Sequence, residues 1–406
     1  ANGGSDSEAM DDMGKVVTMT GPFVDSDAVK FEAAIKAWEE ETGIDIQYDG
    51  SKEFEASIRI RVEGGDAPDI AVFPQPGLLK DFVAKGYVLD LNDTLDMGKV
   101  SSNYIQSWLG MATRDSPDGP IMAGVWARTN GKSLVWYNKA EFDAAGYEVP
   151  ESWDELMALQ NQIIADGDTP WAVGIESGAA TGWAMTDWIE EMMLRTTSLE
   201  NYDRWVAGEL KFDSPEVRAA VESINELWLA EGAVYGGTAA VATTSFGDAP
   251  SVMFEAPPKA WLHKQGNFIT SFFPEGVSYD FFYLPSKDES LGRPVLVAGD
   301  IYSMFNDRPE VVDAMEFFAT GESVKEWVKA GGAISPHKDS ELSWYSNDVD
   351  RKVAEIIQDA TSVRFDGSDL MPGAVGAGSF WTEMTAYVSG AKTLDEALEA
   401  IDASWP

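Results

Sequence analysis

What most constrains the fold is a regular alternation of strand and helix signals between Lys15 and Lys85. Lys15 to Thr20 form a short apolar strand candidate that stops at Gly21-Pro22. A helix follows, with Asp27 available as its cap, Phe31, Ile35 and Trp38 on one face, and Gly43 at its end. Ile44, Ile46 and Tyr48 alternate with polar residues as a second strand; Phe54, Ile58 and Val62 mark a second helix that ends at Gly64-Gly65. A third strand, Asp69 to Phe73, breaks at Pro74-Gln75-Pro76-Gly77, and the next helix runs from Leu78 to about Lys85. Strands alternating with helices through short turns specify βαβ units and a parallel sheet, hence an α/β fold. In such sheets ligands sit outside the carboxyl ends of the strands. That rule makes candidates of Phe23 and Asp25 after the first strand and Gln75 after the third, with helix capping near Asp27 as the rival role around Asp25.

The pattern resumes with a strand at Ser133 to Tyr137 and a helix starting at Lys139. Ser152-Trp153-Asp154-Glu155 reads as a capping box for a helix with Leu156, Leu159 and Ile163 on one face. Ser214-Pro215-Glu216 opens another that buries Val217, Val221, Ile224 and Trp228. Ser251 to Phe254 and Pro294 to Val297 are further strand candidates, and the region beyond Asn347 reads as mainly helical. A chain of 406 residues exceeds what one core usually supports, so two lobes are expected.

Charge and composition narrow the chemistry. The 29 Lys and Arg against 69 Asp and Glu leave a net charge of −40, which repels phosphate backbones and anionic lipid and argues against nucleic acid as partner. There is no Cys, which excludes disulfides and thiolate sites, and there are only two His, His263 and His337. No metal or cofactor is expected. The segment Asp90-x-Asn92-x-Thr94-x-Asp96 lacks the Gly and Glu that a calcium loop needs. His263 lies in a helix-like run and reads as an ordinary His. The polar, acidic opening, residues 1–14, reads as a flexible tether of the kind left below a lipid-modified Cys, or as a plain frayed terminus.

Several short segments then carry a resemblance. Ala67-Pro68-Asp69, Gly86-Tyr87-Val88-Leu89-Asp90-Leu91, Leu134-Val135-Trp136-Tyr137-Asn138-Lys139 and Trp153-Asp154-Glu155-Leu156 occur in the order found in extracellular solute-binding proteins for sugars. Phe73 to Gly77, Lys259 to Gly266 and Phe365 to Pro372 resemble the branch that carries α-glucosides. The resemblance implies a periplasmic-binding-protein-like fold of two α/β lobes joined by hinge strands, with a ligand cleft between them that closes on binding. It implies a first lobe of residues 15–125 plus about 281–335 and a second of 126–280 plus about 336–406. It also implies a monomer outside the cytoplasm that passes an α-linked di- or oligosaccharide to an ABC permease and catalyses nothing. The competing classes are a glycoside hydrolase, since acids and aromatics also line such clefts, and an adhesion or sensor module.

A sugar needs aromatic planes for its C–H faces and carboxylates, amides or a cation for its hydroxyls. Trp183 follows the Gly-rich loop Ser177 to Gly182, where a core role explains it poorly; packing is the alternative. Phe380 and Trp381, after Gly376-Ala377-Gly378, are candidates for a site edge, and Trp126 stands open between site and packing. For the hydroxyls, Lys132 and Ser133 open the Trp136 strand, and Asp248 and Asp300 sit in Gly turns that an Asx-turn would also explain. The resemblance places Arg364 in the cleft, with a surface ion pair to Asp366 or Glu383 as its alternative.

Overall fold

The computed structural model describes residues 15–406, so the expected tether lies outside the described residues. The strands are β1 (Val16–Gly21), β2 (Asp45–Gly50), β3 (Ile70–Phe73), β4 (Thr113–Ser116), β5 (Gly119–Met122), β6 (Val125–Gly131), β7 (Leu134–Asn138), β8 (His263–Lys264), β9 (Tyr279–Tyr283), β10 (Pro294–Met304) and β11 (Ser362–Phe365). They belong to two units between which the chain crosses three times: residues up to Thr129 and Ala298–Gln358 form the first, Asn130–Val297 and Asp359–Pro406 the second.

In the first unit, β1 lies between β2 and β3 and is parallel to both, from Val16 opposite Asp45 to Gly21 opposite Gly50. The end of β10 adds antiparallel to β3, Ile301 opposite Phe73. The helix Asp25–Thr42 joins β1 to β2, buries Phe31, Ala34 and Ile35, and ends at Gly43, whose φ of 72° suits the left-handed cap that glycine adopts without strain. Because the chain leaves β1 for β2 on one side and returns to β3 on the other, the carboxyl ends of β1 and β3 are the switch point of this sheet.

In the second unit, β7 is flanked by β8 and β9, both antiparallel to it, and the start of β10 pairs in parallel with β11. Its core is built around the helix Trp183–Thr196, which is buried at every position from Ala184 to Arg195. A helix buried on every side belongs inside a domain, and the charged residues it carries must find partners there. The helix Trp153–Ala165 begins as expected: the Ser152 hydroxyl accepts from the Glu155 amide at 3.1 Å. The returning carboxylate reaches the Glu151 amide, one residue before the cap.

Some expectations are corrected. Ser251 to Phe254 lies in a 3₁₀ turn, Ala249–Phe254, because Pro250 fixes φ and has no N–H to donate to a ladder. The helix-like run Lys259 to Gly266 contains strand β8, since His263 and Lys264 pair with Trp136 and Val135. Trp228 is buried but lies beyond the end of its helix at Glu226. The changeovers also fall later than the expected 125/126, 280/281 and 335/336. Pairing of β9 with β7 keeps residues past 281 in the second unit, while the His337 ring on the Trp126 carbonyl (2.9 Å) and the Lys338 amide on the Asn103 carbonyl (2.8 Å) keep that stretch in the first. No helix among the described residues is long and apolar enough to cross a membrane.

Candidate functional site

In the first unit, the loop after β1 is built over an aromatic floor. Phe23 is buried, its ring 5.0 Å from Trp327 and 5.6 Å from Phe31, so it packs inside the unit and does not present a face to a ligand. Arg128 caps this floor, with its guanidinium 5.1 Å from the Phe23 ring and 4.4 Å from Trp327. Its nitrogens reach Asp300 at 2.8 Å, Asp27 at 3.0 Å and the Gly332 carbonyl at 2.9 Å. Burial pushes the Asp300 carboxyl upward against the pull of Arg128. Asp27 therefore serves as an ion-pair partner; the helix Asp25–Thr42 takes its cap position at Val24, with no side-chain cap.

Two candidates there stay open to solvent. Asp25 is exposed and has φ of 52°, and it is the only non-glycine residue with positive φ among the described residues. Gln75 is exposed at the cap of the helix Pro76–Ala84, yet its amide makes no capping bond, so its donors and acceptor are available. Asp25 and Gln75 follow neighbouring strands at the switch point. Trp126 is a correction: it is buried, its indole N–H donates to the Trp108 carbonyl at 2.8 Å, and its ring lies 5.1 Å from Trp108. An indole so satisfied is a core residue.

In the second unit, Trp183 opens the central helix. Gly182 before it has φ of 112°, and a Cβ there would lie 2.5 Å from the Trp381 carbonyl oxygen, so only glycine permits this entry. The indole is half-buried, 5.0 Å from Phe246 and 5.9 Å from Phe268, with the Lys132 ammonium 5.5 Å from its ring. Lys132 is buried, 3.0 Å from Asp187 and 2.6 Å from Asp366. Ser133 is buried beside it, donating to Glu191 at 2.7 Å and accepting from the Leu296 amide at 2.9 Å. Lys132 and Ser133 thus hold the helix of Trp183 in place and offer nothing to a sugar directly. Asp248 is exposed, two residues from Phe246, and its side chain makes no cap, so the Asx-turn alternative fails.

Three other candidates are held in other contacts. Phe380 is fully buried against Phe212 at 4.8 Å and Trp205 at 5.7 Å. Trp381 is half-buried and meets this region through its backbone at Gly182. Arg364 is held by both carboxylate oxygens of Asp203, at 2.8 and 3.1 Å, a partner absent from the expected pair Asp366 and Glu383.

Carboxyl oxygens of Asp187, Glu190 and Asp366 lie within 4.8 Å of one another, close enough to hold a cation, and the Lys132 ammonium supplies that positive charge. Burial pushes Asp187 up to about 8, against the pull of Lys132 and with the Asp366 charge adding to the rise. Glu190 is raised by burial and by the Asp366 charge. Burial would raise Asp366 as well, but Lys132 and hydrogen bonds from both neighbours hold it below the usual carboxylate range. Lys132 stabilises the charge on Asp366, while burial and that charge work against a second and third charge on Asp187 and Glu190.

The folded state therefore keeps protons that the unfolded chain releases near pH 4, and stability falls as pH rises toward the folded value. The buried, neutral His263 and His337, both lowered to about 4, work in the opposite sense, but only up to about pH 6.5. Between pH 7 and 8.5 the acid cluster sets the slope. The urea midpoint is expected to drop over that interval, and Asp187→Asn, which mimics the protonated acid, is expected to flatten the drop; an equal slope in both proteins would refute the assignment.

The cluster could have been found from sequence. A helix carrying Trp188, Ile189, Met192, Met193 and Leu194 is buried on all sides, so Asp187, Glu190 and Glu191 on it need buried partners. Arg128, Trp327, Phe246 and Phe268 carry no such signal, because their neighbours are set by tertiary contacts.

An α/β chain of two units with open polar loops at its strand ends and an aromatic face set on a rigid helix is a periplasmic-binding-protein-like receptor. The sequence matches the model for bacterial extracellular solute-binding proteins over residues 25–325, and the chain belongs to that family. It is 44% identical to the osmoprotective compounds-binding protein GgtB of Synechocystis over 97% of this chain and 93% of that one. It is 41% identical to the alpha-glucosides-binding periplasmic protein AglE of Rhizobium meliloti over 95% of this chain and 86% of that one. The crystal structure of the bacterial solute receptor AcbH superposes with a TM-score of 0.80 at 18% identity, over 96% of this chain and 97% of that one, which shows the shared fold. The chain is accordingly the substrate-binding protein of an ABC transporter and not an enzyme; nothing supports glycoside hydrolysis.

Proposed function

We propose that this protein captures an α-linked glucoside, a di- or oligosaccharide of the maltose, trehalose or sucrose type, and delivers it as a monomer to a membrane permease. The alpha-glucosides-binding relative, similar over nearly the whole chain, supports this ligand class. The observation that carries it is the half-buried Trp183 indole, fixed at the start of a buried helix and flanked by Phe246 and Phe268. An aromatic plane so held offers a sugar face stacking at little cost in side-chain freedom. Asp25, Gln75 and Asp248 keep polar groups in solvent that match hydroxyl donors and acceptors. The acidic surface gives no attraction for an anionic ligand.

A thermal-shift panel tests this directly. An α-glucoside at a hundredfold excess over its Kd is expected to add about 2.7 kcal/mol to the unfolding free energy and raise Tm. Cellobiose, the β-linked isomer of maltose, is expected to leave Tm unchanged. A panel in which no α-glucoside shifts Tm, or cellobiose shifts it equally, would refute the proposal.

A further inference from the structure

The aromatic cluster does not end at Trp183 and its two neighbours. Phe246, 5.0 Å from Trp183, is followed by Phe272 at 5.3 Å, so the rings continue in steps close to the length of one pyranose. Phe272 packs on Phe246 and still leaves 46% of its surface exposed, so part of the phenyl ring is open to solvent. The local backbone nevertheless holds it there. A Cβ at Gly247 would lie 2.5 Å from the Phe272 ring, which rests on that bare glycine, and Asp248 next to it is exposed.

The same arrangement occurs at the other end of the run. Phe268 and Phe272 lie four residues apart in the 3₁₀ segment Asn267–Phe272, and the Phe268 ring rests on Gly266, where a Cβ would approach it to 2.6 Å. The segment is tied down through the Asn267 side chain, which accepts from the Gly131 amide at 2.9 Å. Successive rings are inclined by 63° from Trp183 to Phe246 and by 65° from Phe246 to Phe272. Rings inclined to one another in this way do not share one plane, so a flat ribbon cannot lie flush against all of them.

We infer that Phe272 is a distal sugar subsite, continuous with Trp183 through Phe246, that makes the protein favour α-glucan chains longer than a disaccharide. Trp183 takes one pyranose, and the chain runs across Phe246 so that a later residue stacks on Phe272, with the Asp248 carboxylate accepting from its hydroxyls. The inference rests on the proposed function, since it assigns a chain length to the same α-glucoside site.

Calorimetric titration of the full chain with maltose, maltotriose and maltotetraose tests it. The wild type is expected to bind the two longer sugars more tightly than maltose. Phe272→Ala is expected to weaken maltotetraose binding about tenfold while leaving maltose within about twofold, as suits the loss of one stacking partner. Phe272→Tyr is expected to keep the preference, and Gly247→Ala, which displaces the ring without removing it, to lose it. Equal losses for all three sugars, no loss for any, or a wild type that binds maltose as tightly as maltotetraose would overturn the distal subsite and leave the proposed function standing. A wild type that binds no α-glucoside would overturn both.

Discussion

Lys132→Met is expected to destabilise the second unit by about 3–5 kcal/mol, the loss typical when one partner of a buried ion pair is removed. Its ammonium lies 2.6 Å from Asp366 and 3.0 Å from Asp187, in a region from which water is excluded. Methionine fills a similar volume, so cavity formation contributes little, and the cost is that of an uncompensated Asp366 charge. Three consequences separate this from ordinary packing damage. The loss is expected to shrink at low pH, where Asp366 can take up a proton. Adding Asp366→Asn is expected to recover a large part of it, giving a coupling well above the few tenths of a kcal/mol seen between independent sites. Lys132→Arg is expected to fall short of full rescue, because a planar fork does not fit a seat shaped for a compact ammonium. Urea denaturation followed by tryptophan fluorescence at pH 5 and pH 8 checks all three. A loss below 1 kcal/mol, independent of pH, would show that the cluster does not depend on Lys132.

The second large effect is on binding. Trp183→Ala is expected to weaken the preferred α-glucoside by at least about 2 kcal/mol, or thirtyfold, as when a central aromatic anchor is truncated. Its indole is half-buried and also packs on Phe246 and Phe268, so the change is expected to lower stability as well, and affinity is compared at temperatures where the variant stays folded. Trp183→Phe is expected to lie in between, since a smaller ring keeps part of the plane. Trp126→Phe provides the contrast: its indole N–H is spent on the Trp108 carbonyl, so the change is expected to lower stability and spare affinity. Calorimetry for affinity and thermal melts for stability read the two apart. If Trp183→Ala binds like the wild type, the sugar face lies elsewhere.

Much of the architecture is local, and local signals carried it. Gly43 ends a helix because it adopts positive φ, Ser152 starts one because its hydroxyl accepts an orphan amide, and the period of Phe31, Ile35 and Trp38 marks the face that packs. These preferences act within a few residues of chain, so sequence alone determined the βαβ order, the α/β class and the loops at the strand ends where Gln75 and Asp25 lie open. The family motifs are strings of such local choices, which is why they could be read in order along the chain.

Roles that depend on partners distant in sequence were decided by tertiary structure alone. Phe23 follows a strand end as a ligand-facing residue would and Trp126 stands open, by sequence, between site and packing, yet one lies beneath Arg128 and the other against Trp108. Lys132 meets an acid 234 residues later, and Arg128 one 172 residues later. The physical reason is that a buried charge or ring takes its meaning from what excludes water around it. That shell is assembled from segments whose spacing along the chain carries no trace of their contact.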